Sequence, residues 1–176
     1  MFIRDARLSD VSAIAIVHVD TWLSTYRGVV PDQHLDGLSY ERAERATRSR
    51  LSEPEDGAFT LVAELEKEGV VGFAAAGPAR EPEAATTGEV YAVYVLARHQ
   101  GQGIGRVLMQ HAVKRLAAAG MRSMVVWVLK DNPARGFYAR LGGSPKGTQR
   151  VTIGGCELKE IAYSWDDTSM MLAEES

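Results

Sequence analysis

Two hydrophobic rhythms divide this chain: one repeats about every 3.6 residues, the other every second residue or as a short unbroken apolar run. The first passes through Val11, Ile14, Ala15, His18, Trp22 and Tyr26, a single stripe on a helix for which Ser9 offers the N-cap. It recurs over 40–51 and again from about 103–105 onward. There Ile104, Val107, Leu108, His111 and Leu116 mark an inner face and Gly120 a left-handed stop. Asn132 and Pro133 then supply an N-cap and a first-turn proline for a helix that ends at Gly142.

The second rhythm predicts a short strand over 2–6 and a hairpin of 58–64 with 70–76 across Glu66-Lys67-Glu68-Gly69. Segments 89–96 and 123–129 are rich in Val and aromatic residues and read as buried strands, which pack well on a pleated surface. Two further strands, 148–153 and 157–164, are joined by Gly154-Gly155, a turn pair suited to a tight hairpin. Segments 28–37 and 78–88 read as loops. No repeat or long linker divides the chain, so the pattern predicts one mixed α/β domain over 1–176.

Composition narrows the class. With 176 residues, 45% hydrophobic and 24% charged, the chain is long enough to bury roughly 70% of its unfolded surface without a disulfide or metal. Twenty Lys and Arg against 23 Asp and Glu leave a formal charge of −3, without the positive field of a nucleic-acid binder. A single cysteine, Cys156, and the lack of a leader or membrane-length apolar run predict a cytoplasmic protein, with no membrane partner and Cys156 as a packed thiol. His18 and His111 fall on apolar helix faces and His34 and His99 in loops, without metal-ligand spacing, so no metal is expected.

Chemistry concentrates at Gln100-Gly101-Gln102-Gly103-Ile104-Gly105, between a strand and a helix. Glycines there let the backbone approach a ligand, and N–H groups at a helix start suit phosphate. A dinucleotide fingerprint needs glycine at Arg106, and a P-loop needs glycine followed by lysine and Ser or Thr; neither fits. The segment resembles the Q-x-x-G-x-G motif of the GNAT superfamily of acyl-CoA-dependent N-acetyltransferases. Asn132, Phe137, Tyr138 and Gly142 extend the likeness, matching N-x-x-A-x-x-F-Y-x-x-x-G-F with the alanine moved to Ala134 and the final aromatic replaced by Gly143.

That resemblance implies a mostly antiparallel sheet of about seven strands flanked by about four helices, and acetyl-CoA as co-substrate. It implies that the backbone of Val93, Tyr94 and Val95 receives the pantetheine arm. Gln100, Gly101, Gln102, Gly103, Ile104, Gly105 and Arg106 would meet the diphosphate, and Asn132 and Arg135 the rest of the cofactor. An alkylammonium acceptor has a pKa of about 10.4, so freeing its amine at pH 7 costs roughly 4.6 kcal/mol and calls for a base. Glu89, eleven residues before Gln100, is the candidate, although it also reads as a solvated glutamate at a strand start. Tyr138 would hydrogen-bond the departing thiolate, and Trp22 and Tyr26 would wall the acceptor pocket or simply pack the core. The acceptor itself stays open, with the mildly acidic composition favouring a cationic or small amine. A non-catalytic acyl-CoA sensor is the alternative reading, and exposed strand edges are compatible with a homodimer.

Overall fold

A computed structural model describes residues 1–80 and 86–172. The centre of the polar loop expected over 78–88 therefore lies outside the described residues. The strands are β1 (Phe2–Asp5), β2 (Phe59–Leu65), β3 (Gly69–Pro78), β4 (Thr87–Val95), β5 (Ser123–Leu129), β6 (Ser144–Ile153) and β7 (Cys156–Trp165). They form one sheet in the order β1-β2-β3-β4-β5-β7-β6, antiparallel throughout except for the parallel β4/β5 pair. The helices are α1 (Val11–Thr25), α2 (Asp32–Asp36), α3 (Tyr40–Ser52), α4 (Ile104–Ala118), α5 (Arg135–Arg140) and α6 (Ser169–Leu172). Among the described residues, no helix is long and apolar enough to cross a membrane.

Strand alternation assigns the two faces. Gly72 on β3 lies under α4, where an added Cβ would stand 3.4 Å from Leu108, and Gly88 on β4 lies under Leu116 of the same helix. Phe73 points the other way, with its ring 5.6 Å from that of Tyr94, which in turn stacks on His18 of α1. The sheet is thus clasped between α4 on one side and α1 with α3 on the other. Leu108, Met109 and Leu116 are fully buried, and burial of each stabilises the fold by roughly 1.5–3 kcal/mol.

Several local expectations change. Ser9 is not the cap of α1: it sits in a 3₁₀ turn, Leu8–Asp10, and the Asp10 carboxylate takes the Arg7 N–H at 2.8 Å instead. The supposed loop 28–37 contains α2, because Pro31 fixes its φ at −55° and its carbonyl accepts the His34 and Leu35 N–H groups, while Leu35 anchors the turn at 1% exposure. Gly154 and Gly155 do close the β6–β7 hairpin, both with positive φ as a tight primed turn requires. Cys156 begins β7 with its thiol exposed rather than packed, since the turn lifts it clear of the core.

Candidate active site

The parallel pair β4/β5 holds for three residue pairs, Thr87↔Ser123, Gly88↔Met124 and Glu89↔Val125. Tyr91 then forms a bulge: Ala75 faces Ala92 and Ala76 faces Val90, so one extra residue enters β4 and bends it. Beyond the bulge, β4 and β5 line opposite walls of a cleft of about 620 Å3. Leu96 N–H donates to Val71 O at 3.0 Å, toward β3. By alternation the main-chain groups of Val93 and Val95 turn the other way, toward the cleft. The Val95 carbonyl agrees with that orientation: it accepts from the Gln100 side-chain amide at 2.9 Å and Thr21 Oγ1 at 3.4 Å.

The glycine turn closes one end. Gly101 and Gly103 have φ of +73° and +83°, a left-handed backbone that costs an L-residue roughly 1–2 kcal/mol. A Cβ at either site would meet nothing within 4 Å, so conformation rather than crowding demands glycine there. Gly105 differs, because a Cβ there would press on Phe137 at 3.3 Å. Gly103 caps α4, whose first-turn N–H groups have no partner within the helix and carry the positive end of its dipole. Arg106 lines the cleft beside them.

Tyr138 of α5 lines the same cleft, packed between the rings of Phe137 and Tyr163 at 5.2 and 5.9 Å. Among the described residues its hydroxyl has no hydrogen-bond partner. Burial, with the Tyr94 phenol nearby, pushes its pKa well above the ordinary tyrosine value, so it is a donor at neutral pH. Asn132 joins two elements: its Oδ1 accepts the Ala134 N–H at 2.7 Å, and its Nδ2 donates to the Tyr26 hydroxyl at 3.0 Å. The side chain thus works as an Asx turn before α5, not as the cap residue itself.

Other expected residues turn elsewhere. Gln102 donates to the Arg98 carbonyl, and Arg135 donates to the Lys130 carbonyl at 2.7 Å and to the Tyr163 hydroxyl at 3.4 Å. Neither lines the cleft, whereas Arg140, one helical turn further along α5, does. Trp22 lines neither cavity described here; it donates to the Tyr94 hydroxyl at 3.0 Å and packs on Tyr26 at 4.7 Å. Ile104 is 4% exposed and contributes packing. Thr21 and Arg140 had no sequence signal, because α1 and α5 reach the cleft only through the fold.

Glu89 is 1% exposed, and Arg80 occupies both of its carboxylate oxygens. The Arg80 N–H reaches Oε2 at 3.0 Å, and its guanidinium reaches Oε1 through Nε at 3.0 Å and through Nη2. A second cavity of about 680 Å3 opens on the α1 face of β4, lined by His18, Phe73, Arg80 and residues of α3. Tyr91, Ala92 and Tyr94 line both cavities. The bulged stretch of β4 therefore borders both spaces.

Residues 19–143 match a protein family described as the acetyltransferase (GNAT) family. The chain is 38% identical over 169 residues to YuaI of Bacillus subtilis strain 168, named an uncharacterized N-acetyltransferase, covering 96% of this chain and 95% of that one. It is 30% identical over 141 residues to the L-methionine sulfoximine/L-methionine sulfone acetyltransferase of Pseudomonas aeruginosa, covering 80% and 78% of the two chains. It also superposes, with a TM-score of 0.71 at 23% identity, on the crystal structure of a GNAT superfamily phosphinothricin acetyltransferase from Sinorhizobium meliloti in complex with AcCoA, over 93% of this chain and 86% of that one.

Proposed function

From a chain that belongs to the acetyltransferase (GNAT) family, and so transfers acetyl groups from acetyl-CoA to an amine, we propose that the β4/β5 cleft binds the co-substrate and that transfer to a small primary amine is direct. The donor set supports this: unshared N–H groups at the start of a 15-residue helix and Arg106 suit a diphosphate, and the free edge of β4 suits an amide-bearing arm. The bound co-substrate supplies an activated acetyl thioester. Val93 and Val95 offer main-chain groups to its arm, and Gln100 holds the Val95 carbonyl in place. Gly101, Gly103 and the first turn of α4 hold its phosphates, and Asn132 and Tyr26 set the opposite wall.

The observation that carries the reading is Tyr138, a protonated phenol in the wall of that cleft with no hydrogen-bond partner among the described residues. Its role is to donate a hydrogen bond to the departing sulfur. Glu89 fixes Arg80 at the mouth of the second cavity, where a guanidinium suits an acceptor that carries a carboxylate. The acceptor named for the Pseudomonas relative is of the amino-acid type, which supports the same class here. Dependence on acetyl-CoA supports a cytoplasmic place of work, and the edge strands β1 and β6 support a homodimer, which sedimentation tests.

Titration calorimetry with acetyl-CoA, followed by release of free thiol with a panel of L-amino acids, L-methionine sulfone and n-butylamine, tests the proposal. Binding with turnover of an amino acid is the expected result. Absence of binding at millimolar acetyl-CoA would sink it.

A further inference from the structure

We propose that the second cavity receives the amine and that a ring nitrogen of His18 accepts the proton the amine loses during acetylation. The inference rests on the acetyltransferase reading above and adds the group that handles the proton. Three observations carry it.

The first is place. The cofactor cleft and the second cavity share Tyr91, Ala92 and Tyr94, so an amine entering on the α1 face meets an acyl group held along β4 from the other side. His18 lines that second cavity, and its ring lies nearly parallel to that of Tyr94, at 9° and 5.6 Å.

The second is the state of the ring. Among the described residues His18 makes ring contacts with Trp22 and Tyr94 and no hydrogen bond, so its nitrogens are not committed to the protein. Burial lowers its pKa below the ordinary value of 6.5, and the positive charge of Arg50 lowers it further, so the imidazole is a free base at neutral pH. Among the described residues, Arg50 of α3 is the charge that acts on it, and Tyr94 of β4 is the titratable side chain its ring stacks on.

The third is the condition of the rival. Both oxygens of Glu89 are engaged by Arg80, and its side chain lines neither cavity. To act as a base, that carboxylate would first have to leave its partner.

The step balances simply. The amine nitrogen forms a bond to the thioester carbonyl carbon and the C–S bond breaks. His18 first takes a proton from the bound ammonium and so frees the nitrogen lone pair. The second N–H proton, made acidic as the N–C bond forms, passes through solvent to the departing thiolate, which Tyr138 hydrogen-bonds until it leaves as the thiol.

His18→Phe keeps a ring against Tyr94 and removes the nitrogens. With the fastest amine of the panel, kcat is expected to fall at least about 100-fold, as for a lost general base. The acid limb of the kcat–pH profile is expected to disappear with it. Hydroxylamine is already unprotonated at neutral pH and strongly nucleophilic, so its acetylation falls much less. Acetyl-CoA affinity by calorimetry stays within about 2-fold, and His18→Asn repeats the pattern if the larger ring disturbs packing. Without any ligand, proton NMR places the His18 midpoint below 6.5, identified by the signal lost in His18→Phe. Three results would overturn the inference: a limb that survives His18→Phe and vanishes in Glu89→Gln, equal losses with amine and hydroxylamine, or a midpoint at or above 6.5. Acetyl-CoA binding without thiol release by the wild type, for every amine and hydroxylamine, overturns instead the activity on which the inference rests.

Discussion

Along one edge, β4 pairs with β3 at seven positions from Gly88 to Val95; along the other it meets β5 at three and then stands free. The same residues serve both edges, so composition cannot account for the contrast. On the closed edge each ladder group is spent on a neighbour, and glycine at 72 lets the Tyr94 carbonyl approach to within 2.9 Å of where a Cβ would stand. On the open edge the ladder is interrupted, and Thr21 and Gln100 satisfy only the Val95 carbonyl. A strand that is stable because one edge is fully paired can leave the other for a ligand, since backbone groups near water still have solvent as a partner until they are used.

That contrast breaks if mutations on the two edges have the same consequence. The largest effect is expected at the open edge: Tyr138→Phe removes a hydrogen bond to developing charge, worth about 1.5–3 kcal/mol, so kcat drops roughly 10- to 150-fold while melting temperature and acetyl-CoA affinity hold. At the closed edge, Gly72→Ala forces a methyl against backbone and should cost about 1–3 kcal/mol, seen as a melting point lower by roughly 2–12 °C with kcat per folded molecule unchanged. Gly103→Ala sharpens the contrast, because nothing crowds its Cβ: the strain is about 1 kcal/mol, and calorimetry should show weaker acetyl-CoA binding with little loss of fold.

The smallest effect concerns pH. Arg4 hydrogen-bonds both oxygens of Asp10, at 2.7 and 2.9 Å, and together with the Arg7 N–H this holds the Asp10 carboxyl below the usual carboxylate range despite burial. A depressed folded-state pKa stabilises above the unfolded value of about 3.9, and that contribution is lost as pH falls through the folded one. Asp10→Asn should therefore flatten the acid limb of a melting-temperature profile below about pH 4, leaving acetyl-CoA affinity as it was. A change in cofactor affinity would show that the turn before α1 and the cleft are coupled.

Much of this architecture was legible in advance. Amphipathic stripes over 11–26 and 104–116 and the alternating or apolar runs over 58–76, 89–96 and 123–129 became helices and strands within a few residues, because each is long enough to show its period. The five-residue α2 is too short to show one. The glycine turn was readable as a backbone motif, and the likeness of 132–142 to a family pattern located Tyr138 at the cleft. Gly143, which departs from that pattern, has its reason in a residue 22 positions away: an added Cβ would stand 2.6 Å from the Trp165 ring, whose Nε1 donates to the Leu141 carbonyl at 2.7 Å.

Local order determined which segments become helices and strands, where the glycines must stand and which turn opens the N-terminus of α4, since these depend on neighbours a few residues apart. The tertiary structure alone decided what each side chain faces. It locked Glu89 against Arg80, turned Arg135 away from the cleft while bringing Arg140 to it, and left His18 facing a cavity. The physical reason is distance along the chain: periodicity says that a residue is on an inner face, but whether it meets a partner or a void depends on elements tens of residues away that only the folded sheet brings together.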